Sequence, residues 1–309
     1  MGFLKRFLGL ERPSNPYDGR RLSNQTTCSD LASVPTSEVP GGIHQISTEL
    51  DRLSAPSAGY SEPGKRPFTS FPRPSWLDEF IGQRPVKENL RVFIKAALRR
   101  GEVLDHILLT GFPGSGKATL ANIIAHEMGA RLHSPEHTTP LKRPKDLTAF
   151  ITQLEEGDIL FIKDIHRLLP EVEKKLNAVL EDNQYQLIVG QGAAVREVSI
   201  ELPKFTLIGD TTSMGLVSSR LRQRFGILLH LDQYQSEDLQ LIIERSASFF
   251  GILIDSAAAR EIARNARGSP KRAYRLLRRA RDHAEVEFEG HLTEAAVSAA
   301  LSNIEWDLS

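Results

Sequence analysis

The chain has 309 residues, 40% of them hydrophobic and 25% charged, with a formal net charge of +0. That composition is ordinary for a soluble globular protein and long enough for a sizeable core and two packed domains. A balanced charge excludes nucleic-acid or membrane attraction as a bulk property, though not as a local patch, and no apolar run is long enough to span a bilayer.

Met1 to Leu10 is too short an apolar run for a signal peptide and lacks a cleavage site. Arg6 stands where N-myristoylation prefers Ser or Thr, so the chain reads as cytoplasmic. Phe3, Leu4, Phe7 and Leu8 share one helical face, which suits a docking peptide or a frayed terminus. Cys28 is the single cysteine and has no partner for a disulfide or a metal. Arg12 to Phe71 is rich in Ser, Thr, Pro and Gly, with a weak helical stretch from Ile46 to Leu53. Such a composition cannot bury enough surface to fold alone, so residues 1–71 read as a linker or disordered segment.

Order is expected from Pro72. Asp78 to Arg99 carries a helical pattern, and Ile107 to Thr110 is a short apolar strand ending at Gly111. Thr119 to Met128 reads as a helix. Ile159–Ile162 and Phe205–Ile208 read as two further buried strands. Strands separated by helices predict an α/β fold with a mostly parallel sheet. Gln186 to Val189 and Glu197 to Leu202 alternate on either side of Gly190-Gln191-Gly192, which predicts a β-hairpin. From Ser236 the pattern is helical, which predicts a small all-α lid. The expected domains are therefore 72–232 and 233–309.

Gly111-Phe112-Pro113-Gly114-Ser115-Gly116-Lys117 follows a strand and opens a helix. In a P-loop the glycines let backbone N–H groups converge on phosphate, the helix terminus adds positive charge, and the lysine reaches the terminal phosphates. The next residue should offer a hydroxyl to magnesium, but here it is Ala118. Thr119 does not replace it, because one helical step turns a side chain by about 100°. Asp158 to Asp164 is an apolar strand followed by the Walker B position. Lys163 holds the place of the metal-binding carboxylate, and Asp164 that of the residue positioning the attacking water. Both Ala118 and Lys163 count against magnesium. Lys163 and Asp210 end two apolar strands, and a buried lysine needs a carboxylate.

The segments Arg73-Pro74-Ser75-Trp76-Leu77-Asp78-Glu79-Phe80-Ile81-Gly82-Gln83, Ile165-His166-Arg167-Leu168, Leu207-Ile208-Gly209-Asp210-Thr211-Thr212, Leu221-Arg222-Gln223-Arg224-Phe225-Gly226 and Arg267-Gly268-Ser269-Pro270-Lys271 complete a specific set. With the phosphate loop they make the chain resemble the RuvB family of AAA+ ATPases, which drive branch migration of Holliday junctions. The resemblance covers about Pro72 to Leu301. It implies an AAA+ large domain with a pre-sensor hairpin and a helical lid. ATP or ADP is then the expected cofactor, and a homo- or hetero-oligomeric ring the expected assembly.

Further roles follow from the resemblance alone. Arg73, Phe80 and Ile81 would lie near the adenine, with Tyr234 at the lid edge. Gly111, Gly114, Ser115, Gly116, Lys117, Ala118 and Thr119 would surround the phosphates. Thr211 or Thr212 would sense the γ-phosphate. Arg224, or else Arg222, would be the arginine finger acting on a neighbouring subunit. Lys271 stands at the second sensor, where the family has Arg, and keeps the charge without the planar fork. Glu181, Asp182 and Asn183 would lie at the nucleotide interface, Asn183 replacing the usual Tyr. In the same implied sheet, the strands ending in Lys163 and Asp210 are neighbours. That places the two side chains as an ion pair.

The 184–202 hairpin matches the one that docks RuvB onto RuvA, with Leu187 and Val189 on one face; packing on its own domain is the alternative. The chain stops at Ser309, before the family's winged-helix domain, which counts against DNA contact. His133 and His137 are spaced as a possible metal pair without a third ligand. Arg275, Arg278, Arg279 and Arg281 form a basic run on a helix capped by Ser269, either a phosphate contact or a solvated face. Two functions remain: a divergent branch-migration ATPase with weak or absent turnover, and a pseudo-ATPase scaffold.

Overall fold

The computed structural model describes residues 73–135, 141–189 and 196–302, with side chains except at 186–189 and 196–198. The N-terminal helical face, Cys28, the 46–53 stretch and His137 lie outside the described residues. The first ordered turn is a short 3-10 helix, Leu77–Glu79. Helix α1 (Arg84–Arg100) starts only after Gly82 and Gln83, both at positive φ. The helix expected from Asp78 is thus broken at Gly82, and the periodicity gave no warning because apolar residues recur across the break.

Strand β1 (Ile107–Gly111) leads through the phosphate loop into α2 (Lys117–Met128). Next come β2 (Leu132–His133), α3 (Pro144–Ile151) and β3 (Ile159–Ile162). After α4 (Pro170–Asp182), strands β4 (Gln184–Val189) and β5 (Arg196–Glu201) pair antiparallel as the expected hairpin. Strand β6 (Thr206–Thr211) runs three residues beyond the predicted Ile208. A short α5 (Ser219–Arg222) and β7 (Ile227–Leu231) close this half.

The sheet order is β2-β3-β6-β1-β7, all parallel. Strands β1, β3 and β6 are buried at every position, as expected where both faces are covered. Leu109 and Ile208 enter one core; Leu108 and Leu207 enter the other. Full burial of such a side chain stabilises the fold by about 1.5–3 kcal/mol. Strand β7 was not anticipated. Its inward positions Ile227, Leu229 and Leu231 are buried, but Leu228 is apolar and exposed, which hides the alternation.

Helices α6 (Ser236–Phe250), α7 (Ser256–Asn265), α8 (Pro270–Glu287) and α9 (Glu294–Ser302) build the lid around a third core. The lid is not purely helical. Strands β8 (Leu253–Ile254) and β9 (His291–Leu292) pair parallel within it. Ser269 caps α8 as expected, its hydroxyl accepting the Arg272 N–H at 3.4 Å. No helix among the described residues is long and apolar enough to cross a membrane.

Candidate functional site: a phosphate loop beneath a helical lid

In a parallel sheet the carboxyl ends of the central strands face a common crevice. Here β1, β3 and β6 bring Gly111, Lys163 and Asp210 to that edge. Gly111, Gly114 and Gly116 have φ of 145°, 84° and 99°, conformations that side chains resist. A Cβ on Gly114 would come within 2.8 Å of the Lys271 Cβ and 3.1 Å of the Ser269 hydroxyl, so the lid sits directly on the loop. Lys117 is only 5% exposed, and its ammonium donates to the carbonyls of Gly111 at 2.8 Å and Phe112 at 3.0 Å. Burial lowers its pKa, while Asp210 and Asp164 oppose that shift. The Ser115 hydroxyl is fully buried and has no hydrogen-bond partner among the described residues.

Register pairs Ile162 with Gly209, which sets Lys163 beside Asp210 on adjacent strand ends. Asp210 is 4% exposed, and its carboxylate accepts the Asp164 backbone N–H at 2.5 Å. Burial raises the Asp210 pKa. The charges of Lys117 and, less strongly, Lys163 pull it back down. The two strand ends are adjacent as expected, but the expected Lys163–Asp210 ion pair is not among the ion pairs of the described residues. Lys163 is exposed rather than buried, Asp210 accepts the Asp164 N–H, and Lys117 is the stronger electrostatic partner. Lys163 itself is exposed and lines a cleft with Asp164 and Arg167. Asp164 has φ of 46° and starts a 3-10 turn, Ile165–Arg167. That turn delivers His166, whose Nδ1 lies 2.8 Å from the Thr211 hydroxyl. Thr211 is fully buried and also donates to the Ser213 carbonyl, whereas Thr212 is exposed. The structure thus separates two threonines that the sequence left as alternatives, and His166 is a contact the sequence reading missed.

A small apolar cleft of about 60 Å³ opens next to the loop, lined by Phe80, Ile81, Gly116, Thr119, Tyr234 and Arg245, among others. Phe80 and Tyr234 are buried, while Arg73 is exposed and does not line the cleft. Burial raises the Tyr234 pKa, assisted by Asp238 and opposed by a hydrogen bond from Gln83. Gln83 also ties the edges together: its amide donates to the Asp232 carbonyl at 2.7 Å and accepts the Asp232 N–H at 3.1 Å. Arg245 was not anticipated. It donates to the Glu79 carbonyl at 2.7 Å, and only the packing of α6 against the first turn reveals it.

Arg224 pairs with Glu181 at 2.6 Å, and Arg220 reaches the same carboxylate at 3.1 Å. These two guanidiniums hold the Glu181 pKa below the usual range. Arg222, Asp182 and Asn183 are exposed. Asn183 ends α4 at φ 51°, and its amide donates to the Leu202 carbonyl at 2.9 Å, locking the hairpin root. Asn tolerates that left-handed position, which gives the substitution a backbone rationale. Along the hairpin, Leu187 pairs with Val198 and Val189 with Arg196; their side chains lie outside the described set. His133 sits in β2 rather than in a loop and meets Asp158 at 2.8 Å. No group of three potential metal ligands occurs among the described residues. In the basic run, Arg279 and Arg281 pair with Asp282.

The donor set fits a phosphate chain: left-handed glycines, a buried lysine and an orphaned serine hydroxyl converge at one helix start. Two positions at this edge offer no side-chain oxygen to a divalent metal. Ala118 carries no hydroxyl and Lys163 carries a cation, while Asp164 and Asp210 keep carboxylates nearby.

Residues 72–231 match the family described as the Holliday junction DNA helicase RuvB P-loop domain, and residues 234–307 the RuvB AAA lid domain. The chain is 50% identical over 235 residues to the Holliday junction branch migration complex subunit RuvB of Salinibacter ruber, covering 76% of this chain and 68% of that one. Among solved structures, the Thermotoga maritima RuvB Holliday junction branch migration motor aligns with a TM-score of 0.66 and 44% identity, covering 74% of this chain and 72% of that chain. A variant of the same Thermotoga maritima protein aligns at 0.67, with 74% and 73% covered. With a parallel sheet, a P-loop and a helical lid in the same order, this chain belongs to the RuvB family.

Proposed function

We propose that this chain is a nucleotide-binding subunit acting in Holliday junction branch migration, with weak or no magnesium-dependent ATP hydrolysis of its own. One observation carries the second half of that reading. Lys117 is in place at the phosphate loop, its ammonium held by the Gly111 carbonyl, yet the positions for the metal hydroxyl and the metal carboxylate hold Ala118 and Lys163. Membership of the RuvB family supports the first half.

In this reading residues 72–232 form the nucleotide domain and 233–309 the lid. The base enters the cleft between Phe80, Ile81 and Tyr234, which Pro74, the neighbour of Arg73, also lines. The Gly111–Lys117 loop holds the phosphates, and Lys271 adds a cation from above Gly114. Thr211, positioned by His166, reads the far end of the phosphate chain. Asp164 keeps a carboxylate near the attacking position. Arg224 reaches a neighbour's nucleotide once ring assembly draws it from Glu181. Leu187 and Val189 dock a RuvA-like partner. Magnesium, where a family member binds it, would stabilise charge on the transferring phosphoryl group; Ala118 and Lys163 offer it no side-chain oxygen, and no step here depends on it.

The test is nucleotide titration by calorimetry on the full chain and on Lys117→Ala, with circular dichroism as a folding control. Wild-type binding of ATP or ADP, lost in Lys117→Ala, is expected. A wild-type chain that binds neither at about 1 mM, where binding free energy is only about −4 kcal/mol, contradicts the reading.

A further inference from the structure

We infer that this pocket holds the phosphate chain of a nucleoside di- or triphosphate without any divalent cation, the Lys163 ammonium taking over the charge a metal would carry. This deepens the nucleotide-binding reading above and rests on it.

The geometry carries the argument. Lys163 follows β3 at the strand end where the phosphate loop opens, and register places it beside Asp210. Its side chain is exposed at the carboxyl edge of the sheet, next to Asp164. Its charge bears, as the weakest of several influences, on both Lys117 and Asp210. Lys271 crosses over Gly114 from the lid. The loop, the end of β3 and the lid thus each bring one lysine, Lys117, Lys163 and Lys271, to this edge of the sheet.

A divalent cation at that edge would face Lys117 and Lys163 and find no oxygen on the Ala118 side chain. Like charges at such a site oppose the metal instead of anchoring it. A free phosphate chain meets the opposite situation. It carries several negative charges, and each lysine donates up to three hydrogen bonds in no fixed geometry. Asp210 balances the lysines when the pocket is empty, which keeps buried Lys117 from standing alone. The buried, unpartnered Ser115 hydroxyl offers one more donor.

An ammonium replaces the charge of magnesium but not its function of bridging and aligning phosphate oxygens. The same substitution that permits metal-free binding thus removes the alignment that hydrolysis needs. Binding and turnover become separable in this chain.

The experiment measures ADP affinity by calorimetry, with excess magnesium and again with excess EDTA. The wild-type affinity should change by less than about twofold between the two. Lys163→Met should weaken binding in EDTA by about tenfold, the size of one charge-assisted hydrogen bond. A tenfold loss of wild-type affinity on adding EDTA overturns the inference while leaving nucleotide binding intact. Wild-type affinity retained by Lys163→Met in EDTA, with unchanged thermal unfolding, also overturns it. Absence of binding in both buffers instead overturns the underlying nucleotide reading. The magnesium and EDTA arms use the unaltered protein, so a poorly folding variant does not decide the outcome.

Discussion

Replacing Gly114 with Ala tests whether the lid rests on the phosphate loop. At φ 84° a new Cβ carries the backbone cost of a left-handed residue, about 1–2 kcal/mol. It would also lie 2.8 Å from the Lys271 Cβ, which is the stem of that side chain and not its movable end. Overpacking of this kind costs roughly 1–3 kcal/mol where the surroundings cannot give. The lid can instead shift outward, which turns the steric cost into lost nucleotide affinity. Gly290 supplies the control: its φ is 79°, but nothing lies within 4 Å of its added Cβ. Urea denaturation and ADP titration of Gly114→Ala and Gly290→Ala should therefore diverge. Gly290→Ala should lose only the backbone amount and bind ADP normally. Gly114→Ala should lose more stability, or at least about tenfold in affinity. Equal stability loss with equal ADP affinity in both would refute the placement of Lys271 over the loop.

Three other outcomes follow from the same geometry. Gly209→Ala should cost about 1–3 kcal/mol in chemical denaturation, because its Cβ would meet the buried Ile165 Cδ1 at 2.9 Å and Phe225 at 3.2 Å; a neutral result would show that the packing beneath the Walker B turn is loose. His106 accepts the Leu207 N–H at 3.0 Å, and burial lowers its pKa below the ordinary 6.5. The unfolded chain then binds the proton first, so stability should decline as pH falls from 6.5 through the lower folded pKa, and His106→Gln should flatten that part of the pH profile. Ala118→Thr and Lys163→Asp, combined, should raise magnesium-dependent nucleotide affinity beyond the sum of the single changes, by about 0.5–3 kcal/mol of coupling; strict additivity would mean the two positions do not share an ion.

The phosphate loop was legible because its chemistry is written in adjacent residues: a strand, spaced glycines, then lysine. Lys163 and Asp210 were legible as neighbours because the strand order implied by the resemblance could be applied to two strand ends. What stayed hidden depends on contacts made across the fold. Thr211 and Thr212 are equivalent by type, and only burial beside His166 separates them. Arg245 enters the apolar cleft beside the loop through α6 docking on Glu79, a contact 166 residues apart in sequence. The break at Gly82 and Gln83 is a backbone event that leaves apolar spacing almost unchanged. Asn183 looked like a loss at a nucleotide interface, but its left-handed φ and its bond to Leu202 show a helix end fastened to a hairpin.

Phosphate release measured on the full chain, with ATP and saturating magnesium, tests most directly whether binding and hydrolysis have parted here. The account predicts that wild-type release does not exceed that of Lys117→Ala, although wild type binds the nucleotide. Turnover of roughly 1 s⁻¹ or more, within the ordinary range for enzymes, that depends on magnesium and disappears in Lys117→Ala, would contradict it.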